Sequence, residues 1–212
     1  AEASAAPASA PTQEAAPEAS APPAEEAPSA ANLTEEVAKR AEPYIVPIDG
    51  GAGQDVRYEN EYVELKDTIA NADDPAKPPV DWNDIVKLGD TILKNQSKDI
   101  LVASYHAYAL FKTKGLDGFL TGMSALTGII DVFWEDGYPS MKRMRARKSA
   151  LTWMIERMET PLTDMTPAAS DRVVLDMLEA AVAKFQSVVY EKYADNAPAV
   201  RTLKESVARA KI

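Results

Sequence analysis

The chain of 212 residues has no cysteine and a single histidine. The first absence excludes disulfides, thiolate nucleophiles and Cys-ligated zinc. The second rules out a His-rich metal site and leaves any imidazole relay resting on His106. Long apolar runs are also missing. The best one, from Gly115 to Trp134, is broken by Asp117, Asp131 and several glycines, short of the roughly 20 apolar residues that span a bilayer. The N-terminus shows no basic-then-apolar leader pattern. Basic residues are outnumbered 23 to 33, for a net charge of −10. Such a surface repels phosphate at long range, so no nucleic-acid partner is expected unless a local patch overrides the mean.

Residues 1–31 lack something else: any aromatic, and any aliphatic side chain larger than Ala. They read as a disordered Ala/Pro/Glu-rich linker, because Pro7, Pro11, Pro17, Pro22, Pro23 and Pro28 block helix and stiffen an extended path. No PxxP core with basic flanks makes this segment a ligand for a proline-reading module. Glu2, Glu14, Glu18, Glu25 and Glu26 face no basic residue there and carry half of the net charge. The remainder is nearly balanced, with 28 acidic against 23 basic residues.

What is present beyond residue 31 is helical periodicity. Asn32, with Glu35 three residues on, predicts a short helix that Pro43 stops. Pro47 to Gln54 is a glycine-bearing loop. Tyr62, Leu65 and Ile69 recur at helical spacing in a helix from about Tyr58 to Asn71. Asp81 caps a helix whose broad apolar face holds Trp82, Ile85, Val86, Leu88, Ile92 and Leu93. Ser97 is the predicted cap of the next, and Gly115 its C-terminal stop. Leu116 to Trp134 follows; its Gly118, Gly122 and Gly128 are costly in a helix and point to close helix approach. A basic helix runs from Met141 to Met158, a long one from Thr166–Pro167 to Tyr193, and a last one from Pro198. No run alternates with period two. The expected fold is all-α, a bundle of seven or eight helices. Residues 32–160 form its main domain, and 161–212 a helical pair packed on that domain or leading to a further region.

Few residues suggest chemistry. His106 lies in an apolar helix beside Tyr105 and Tyr108, with no sequence pattern supplying a nucleophile or an orienting carboxylate, and reads as structural. Asp73–Asp74 and Glu135–Asp136 are adjacent rather than facing pairs and read as solvated surface, not a glycosidase dyad. Gly50, Gly51 and Gly53 lack the Lys-Ser/Thr of a phosphate loop and read as a turn. No catalytic, cofactor or metal residue is assigned. The strongest charge feature is Lys142, Arg143, Arg145, Arg147 and Lys148. At 100° per residue these wrap much of a helix, so one must turn inward toward a carboxylate or carbonyl. Arg147 is that one, since Ala150, Leu151 and Met154 share its face. Lys142, Arg143, Arg145 and Lys148 remain as a solvated face, a surface for an acidic partner, or an anionic-surface or nucleic-acid site.

Several segments, in order, resemble the ImpA-related N-terminal domain of TssA-type proteins of bacterial type VI secretion systems. Gly53-Gln54-Asp55-Val56-Arg57-Tyr58, then Tyr62 and Leu65, is similar to that family's G-x-D-x-R-Y run. Trp82 followed by Ser97-Lys98-Asp99-Ile100 is similar to its W…SKDL passage, and Ala109-Leu110 with Gly115-Leu116 to its AL…GL passage. Trp134 with Tyr138-Pro139, and Arg147 with Ala150-Leu151-Thr152-Trp153, are similar to its "yW…hP" turn and R-x-x-A-L-x-W helix. The likeness covers roughly Pro47 to Met158. Read physically, Trp82, Trp134 and Trp153 are buried anchors, and Asp55, Arg57, Lys98, Asp99 and Arg147 are expected to form partly buried ion pairs that fix helix docking.

The resemblance implies a non-enzymatic, cytoplasmic assembly factor without cofactors. Its partners would be baseplate, sheath, tube or membrane-complex proteins of the secretion machine, with no small-molecule substrate. Ring-forming parts of such proteins generally lie C-terminal to this domain and nothing here matches them, so any homo-oligomer is expected to form through regions outside the chain. The Ala/Pro segment departs from the family pattern. Either the domain hangs from a spacer inside a longer polypeptide, or the spacer leads to a membrane or envelope segment.

Overall fold

Two aspartates set the frame. Asp81 accepts a hydrogen bond from Asn83 N, and Asp99 Oδ1 accepts from the N–H groups of Leu101 (2.8 Å) and Val102 (3.0 Å). Each satisfies N–H groups that the first turn of a helix leaves open. The computed structural model describes residues 30–212. Among them are seven α-helices and no β-strand: α1 (Ala30–Ile45), α2 (Asn60–Ala70), α3 (Trp82–Asn95), α4 (Ile100–Val132), α5 (Met144–Thr163), α6 (Asp171–Tyr193) and α7 (Val200–Ala210), with one-turn 3₁₀ segments before α5 and after α6. The all-α expectation holds for these residues. The expected linker lies outside them, except that Ala30 and Ala31 already belong to α1.

α4 is the centre, and it is two arms rather than one rod. At Gly115 the backbone takes φ 63°, ψ −147°, a conformation open in practice only to glycine, and the chain turns back. The arms then pack against each other. A Cβ on Gly122 would come within 2.6 Å of Ala107 Cα, and the Phe111 and Phe119 rings sit 6.1 Å apart. In a straight helix the first pair would be separated by over 20 Å. Gly118 similarly abuts the first arm at Leu110, and Gly128 abuts Ile45 of α1, so all three glycines lie at close approaches as expected. Both arms are apolar nearly all round, the pattern of helices enclosed by others. α1, α3, α5 and α6 pack around them. α7 closes over α5 and α6, and α2 lies on α3. One continuous hydrophobic cluster runs from Val37 to Ala210, so α6 and α7 share the core with the helices before them.

Several helix ends differ from the sequence expectations. α1 starts before Asn32 and continues past Pro43 to Ile45, and α5 runs beyond Met158, through Pro161, to Thr163. In both cases the proline lies close to the end, where a missing N–H breaks one hydrogen bond instead of a mid-helix ladder. Buried Tyr44 and Leu162 hold those last turns down. Asp99, not Ser97, caps α4, because a carboxylate accepts two N–H groups at once. α2 begins at Asn60, α6 at Asp171 and α7 at Val200, each two to five residues later than expected.

Candidate functional site

Asp55, Arg57, Tyr58, Lys98, Asp99, Trp134, Pro139 and Arg147 converge on one end of the bundle, where α1, α3 and α4 finish and α5 starts, whereas Trp82 opens α3 at its other end. Three loops meet there and are stitched by backbone hydrogen bonds. Gln54 N donates to Gln96 O and Lys98 N to Ala52 O. Tyr138 N donates to Lys98 O, and Ile100 N to Tyr138 O. The stretch 97–99 is thus paired on both sides, to 52–54 and to 138.

Two fully buried cations sit beneath this junction. Lys98 is 0% exposed and donates from Nζ to Tyr44 O and Leu93 O, both at 2.7 Å. Arg147, also 0% exposed, donates from Nε to Pro139 O, from Nη1 to Trp134 O at 2.7 Å and from Nη2 to Gly137 O at 2.6 Å. The carbonyls of Tyr44 and Leu93 belong to the last turns of α1 and α3, and that of Trp134 lies just beyond α4. Each cation therefore meets unsatisfied carbonyls and the negative end of helix dipoles. Each also lies over an aromatic ring, Lys98 over Phe133 and Arg147 over Trp134.

The expected interhelical ion pairs are corrected by this geometry. Lys98 and Arg147 are paired with carbonyls, Asp99 with backbone N–H groups, and Asp55 with Arg57 two residues away, at 2.8 Å and partly exposed. The physical reason is desolvation: a buried ion pair must offset the hydration lost by two charges, whereas helix ends already offer carbonyls that need donors. Burial sets the titration of these groups. It lowers Lys98 to about 8 and also lowers Arg147. Burial raises Asp99 to about 6, with the charge of Asp55 adding to the rise, while its two backbone hydrogen bonds and Arg143 work the other way.

Of the three expected aromatic anchors only Trp134 is buried, while Trp82 and Trp153 are half-buried and pack against the core from its edge. Trp134 is buried against Tyr193. Trp153 packs edge-on to Tyr105 and Tyr108, and Trp82 edge-on to Tyr108. Pro139 is buried and supplies a carbonyl to Arg147. Tyr58 is the exception among the motif residues: it is 86% exposed, with the Arg57 guanidinium 5.6 Å from its ring. Arg143 lies close enough to help lower the Asp55 carboxyl, whose main partner is Arg57. Lys142, Arg143, Arg145 and Lys148 make no ion pair among the described residues.

His106 is structural but not without a carboxylate. Its Nε2 lies 2.9 Å from Asp90 Oδ1, which also accepts from Tyr44 OH at 2.7 Å, while Lys94 reaches Oδ2. Burial favours the neutral acid, yet the bonds from His106 and Tyr44 and the nearby charges win and hold Asp90 well below the usual range. With His106 1% exposed and its Nε2 taken, the imidazole has no open side for a ligand. Asp90 was missed, though a signal existed: Asp90 and His106 are equally far in sequence from Lys98, as facing positions of an α3–α4 hairpin must be. Of the adjacent acids, Asp73 is taken by Arg157, and Glu135 and Asp136 are exposed. No group of three potential metal-ligating side chains occurs among the described residues.

A family model described as "ImpA, N-terminal, type VI secretion system" matches residues 45–156. Among solved structures, the chain resembles the N-terminal domain, including the conserved ImpA_N region, of the TssA component of the type VI secretion system from Burkholderia cenocepacia. The TM-score is 0.65 at 18% identity, covering 81% of this chain and 90% of that one, which is a likeness of fold. No curated protein matches the sequence.

Proposed function

Since the chain belongs to the ImpA N-terminal family of the type VI secretion system, we propose that it is the docking module of an assembly factor, holding baseplate, sheath or membrane-complex proteins against its surface and transforming no substrate. It would do so on the cytoplasmic side. No described helix is long and apolar enough to cross a membrane.

The observation that carries this reading is the division of labour among the motif residues. Lys98, Asp99, Trp134, Arg147 and Trp153 are consumed in holding helices together. Tyr58 is not: it stands in solvent at the same end, steadied by Arg57, with exposed Arg143 close to neighbouring Asp55. Aromatic and arginine side chains displayed on a rigid base are what protein interfaces use as hot spots, because they bury much area at little entropic cost. A polyanion-binding role fits less well. The free cations diverge around α5 rather than line one track, and the folded part is close to charge balance.

Co-expression with the secretion components of the same host tests the proposal. Tyr58→Ala combined with Arg143→Glu is expected to lower partner recovery at least tenfold while leaving thermal unfolding unchanged. Undiminished recovery would overturn it.

A further inference from the structure

We propose that the outward face of α5 is a receptor for a short acidic segment of a partner protein, bound in extended form with an aromatic or aliphatic side chain among its carboxylates. The inference rests on the docking reading above and specifies a second contact and its chemistry.

The face is concave: a recess of about 570 Å³ opens along it, from Met144 to Glu156, with Asn196 closing one side. Its polar groups are without partners, and two of them, Arg145 and Lys148, can only donate. Arg145 and Lys148 make no ion pair or hydrogen bond among the described residues, and the hydroxyls of Ser149 and Thr152 and the Asn196 amide are likewise uncommitted there. Arg145, Lys148, Ser149 and Thr152 stand at i, i+3, i+4 and i+7, on one side of the helix, and two cations beside two hydroxyls that can donate suit a ligand rich in acceptors. The sole carboxylate, Glu156, stands at the far end. That polarity sets a direction, with the ligand's acidic residues over Arg145 and Lys148 and its apolar residue toward Trp153. The Trp153 ring is a fixed wall, pinned edge-on by Tyr105 and Tyr108 and covered by Arg157 at 4.7 Å.

Length can be read as well. Arg145 to Glu156 spans about 16 Å of helix at 1.5 Å per residue, which an extended peptide covers with about five residues. Two cations in a walled recess suit a few carboxylates. A phosphate backbone would need a longer track of cations than Arg145 and Lys148 provide, and a bilayer would need a flat patch where α5 presents a recess.

The test uses the full chain and a fluorescein-labelled peptide with four glutamates around one phenylalanine, at low ionic strength. Binding is expected, weakened at least tenfold in Arg145→Glu/Lys148→Glu and unchanged in Lys112→Glu/Lys114→Glu, all three proteins melting alike. Absence of binding, or equal binding to the first variant, overturns the proposal. So does equal or tighter binding of a 20-base-pair DNA at the same residues. Replacing the glutamates of residues 1–29 by glutamine must leave peptide affinity unchanged; a tenfold rise would make the chain's own acidic residues the occupant and overturn a partner segment. Should the peptide fail while secretion components are still recovered through Tyr58, only the recess is lost. Should no component be recovered, the docking reading falls, whatever the peptide does.

Discussion

At the scale of single residues, the buried charges carry the argument. Arg147 satisfies three carbonyls that no other group reaches, so Arg147→Met should cost about 3–5 kcal/mol, the range for stranding buried polar partners. Arg147→Lys should recover only part of that, since one ammonium cannot span the planar fork's three acceptors. Arg57→Met is expected to leave stability almost unchanged, because its pair with Asp55 is local and solvated. Urea unfolding of the three variants checks the ordering. Asp99 gives a pH signature. Its folded value, about 6, lies above its unfolded one, so the folded state binds the extra proton between roughly pH 4 and 6. The associated stability is full below pH 4 and is lost as pH rises through 6. Unfolding midpoints should therefore show wild type losing ground to Asp99→Asn over that window, by on the order of 2–3 kcal/mol.

At the scale of elements, the bend in α4 matters most. A rod in its place would leave Ala107 and Phe111 facing away from Gly122 and Phe119, and the core would have no centre. Gly122→Val is expected to destabilise by about 2 kcal/mol or more, because the new side chain meets Ala107 backbone that has no room to shift. At Gly115 the obstacle is different: space is open but the dihedral angles are not, and Gly115→Ala should cost about 1–3 kcal/mol. Thermal melts of the two variants read both effects. The end signals show how far local reading goes. Asp81 and Gly115 were legible because one side chain or its absence decides them. The extension past Pro43 and Pro161 was not, because Tyr44 and Leu162, buried by distant helices, overrule the local preference.

At the scale of the whole molecule, the family match ends at residue 156 but the core does not. α6 lies along α4, and α7 covers α5 and α6, burying Leu175, Leu178, Val182, Phe185, Val189, Leu203 and Val207. Each such side chain is worth about 1.5–3 kcal/mol of burial. A chain ending at Thr163 would expose the facing surfaces of α4 and α5 and is expected to lose its cooperative melt; retention of a sharp transition by calorimetry would show that residues 30–163 suffice. The same scale explains why the candidate surface was only half readable. Charge density identified Lys142, Arg143, Arg145 and Lys148 from sequence, and facing periodicity identified Arg147 as inward. Which motif residues were spent on packing and which were left in solvent depended on where three distant loops met.

The sequence by itself determined the helical class, the inward turn of Arg147, the break at Gly115 and the close approaches at the glycines, because these follow from period and from local backbone sterics. Tertiary structure alone decided that Lys98 and Arg147 would hold carbonyls rather than carboxylates, that Asp90 would engage His106, and that Tyr58 would remain exposed. Those outcomes depend on which helix ends come together, and a buried charge takes whichever partner the assembled ends leave unsatisfied.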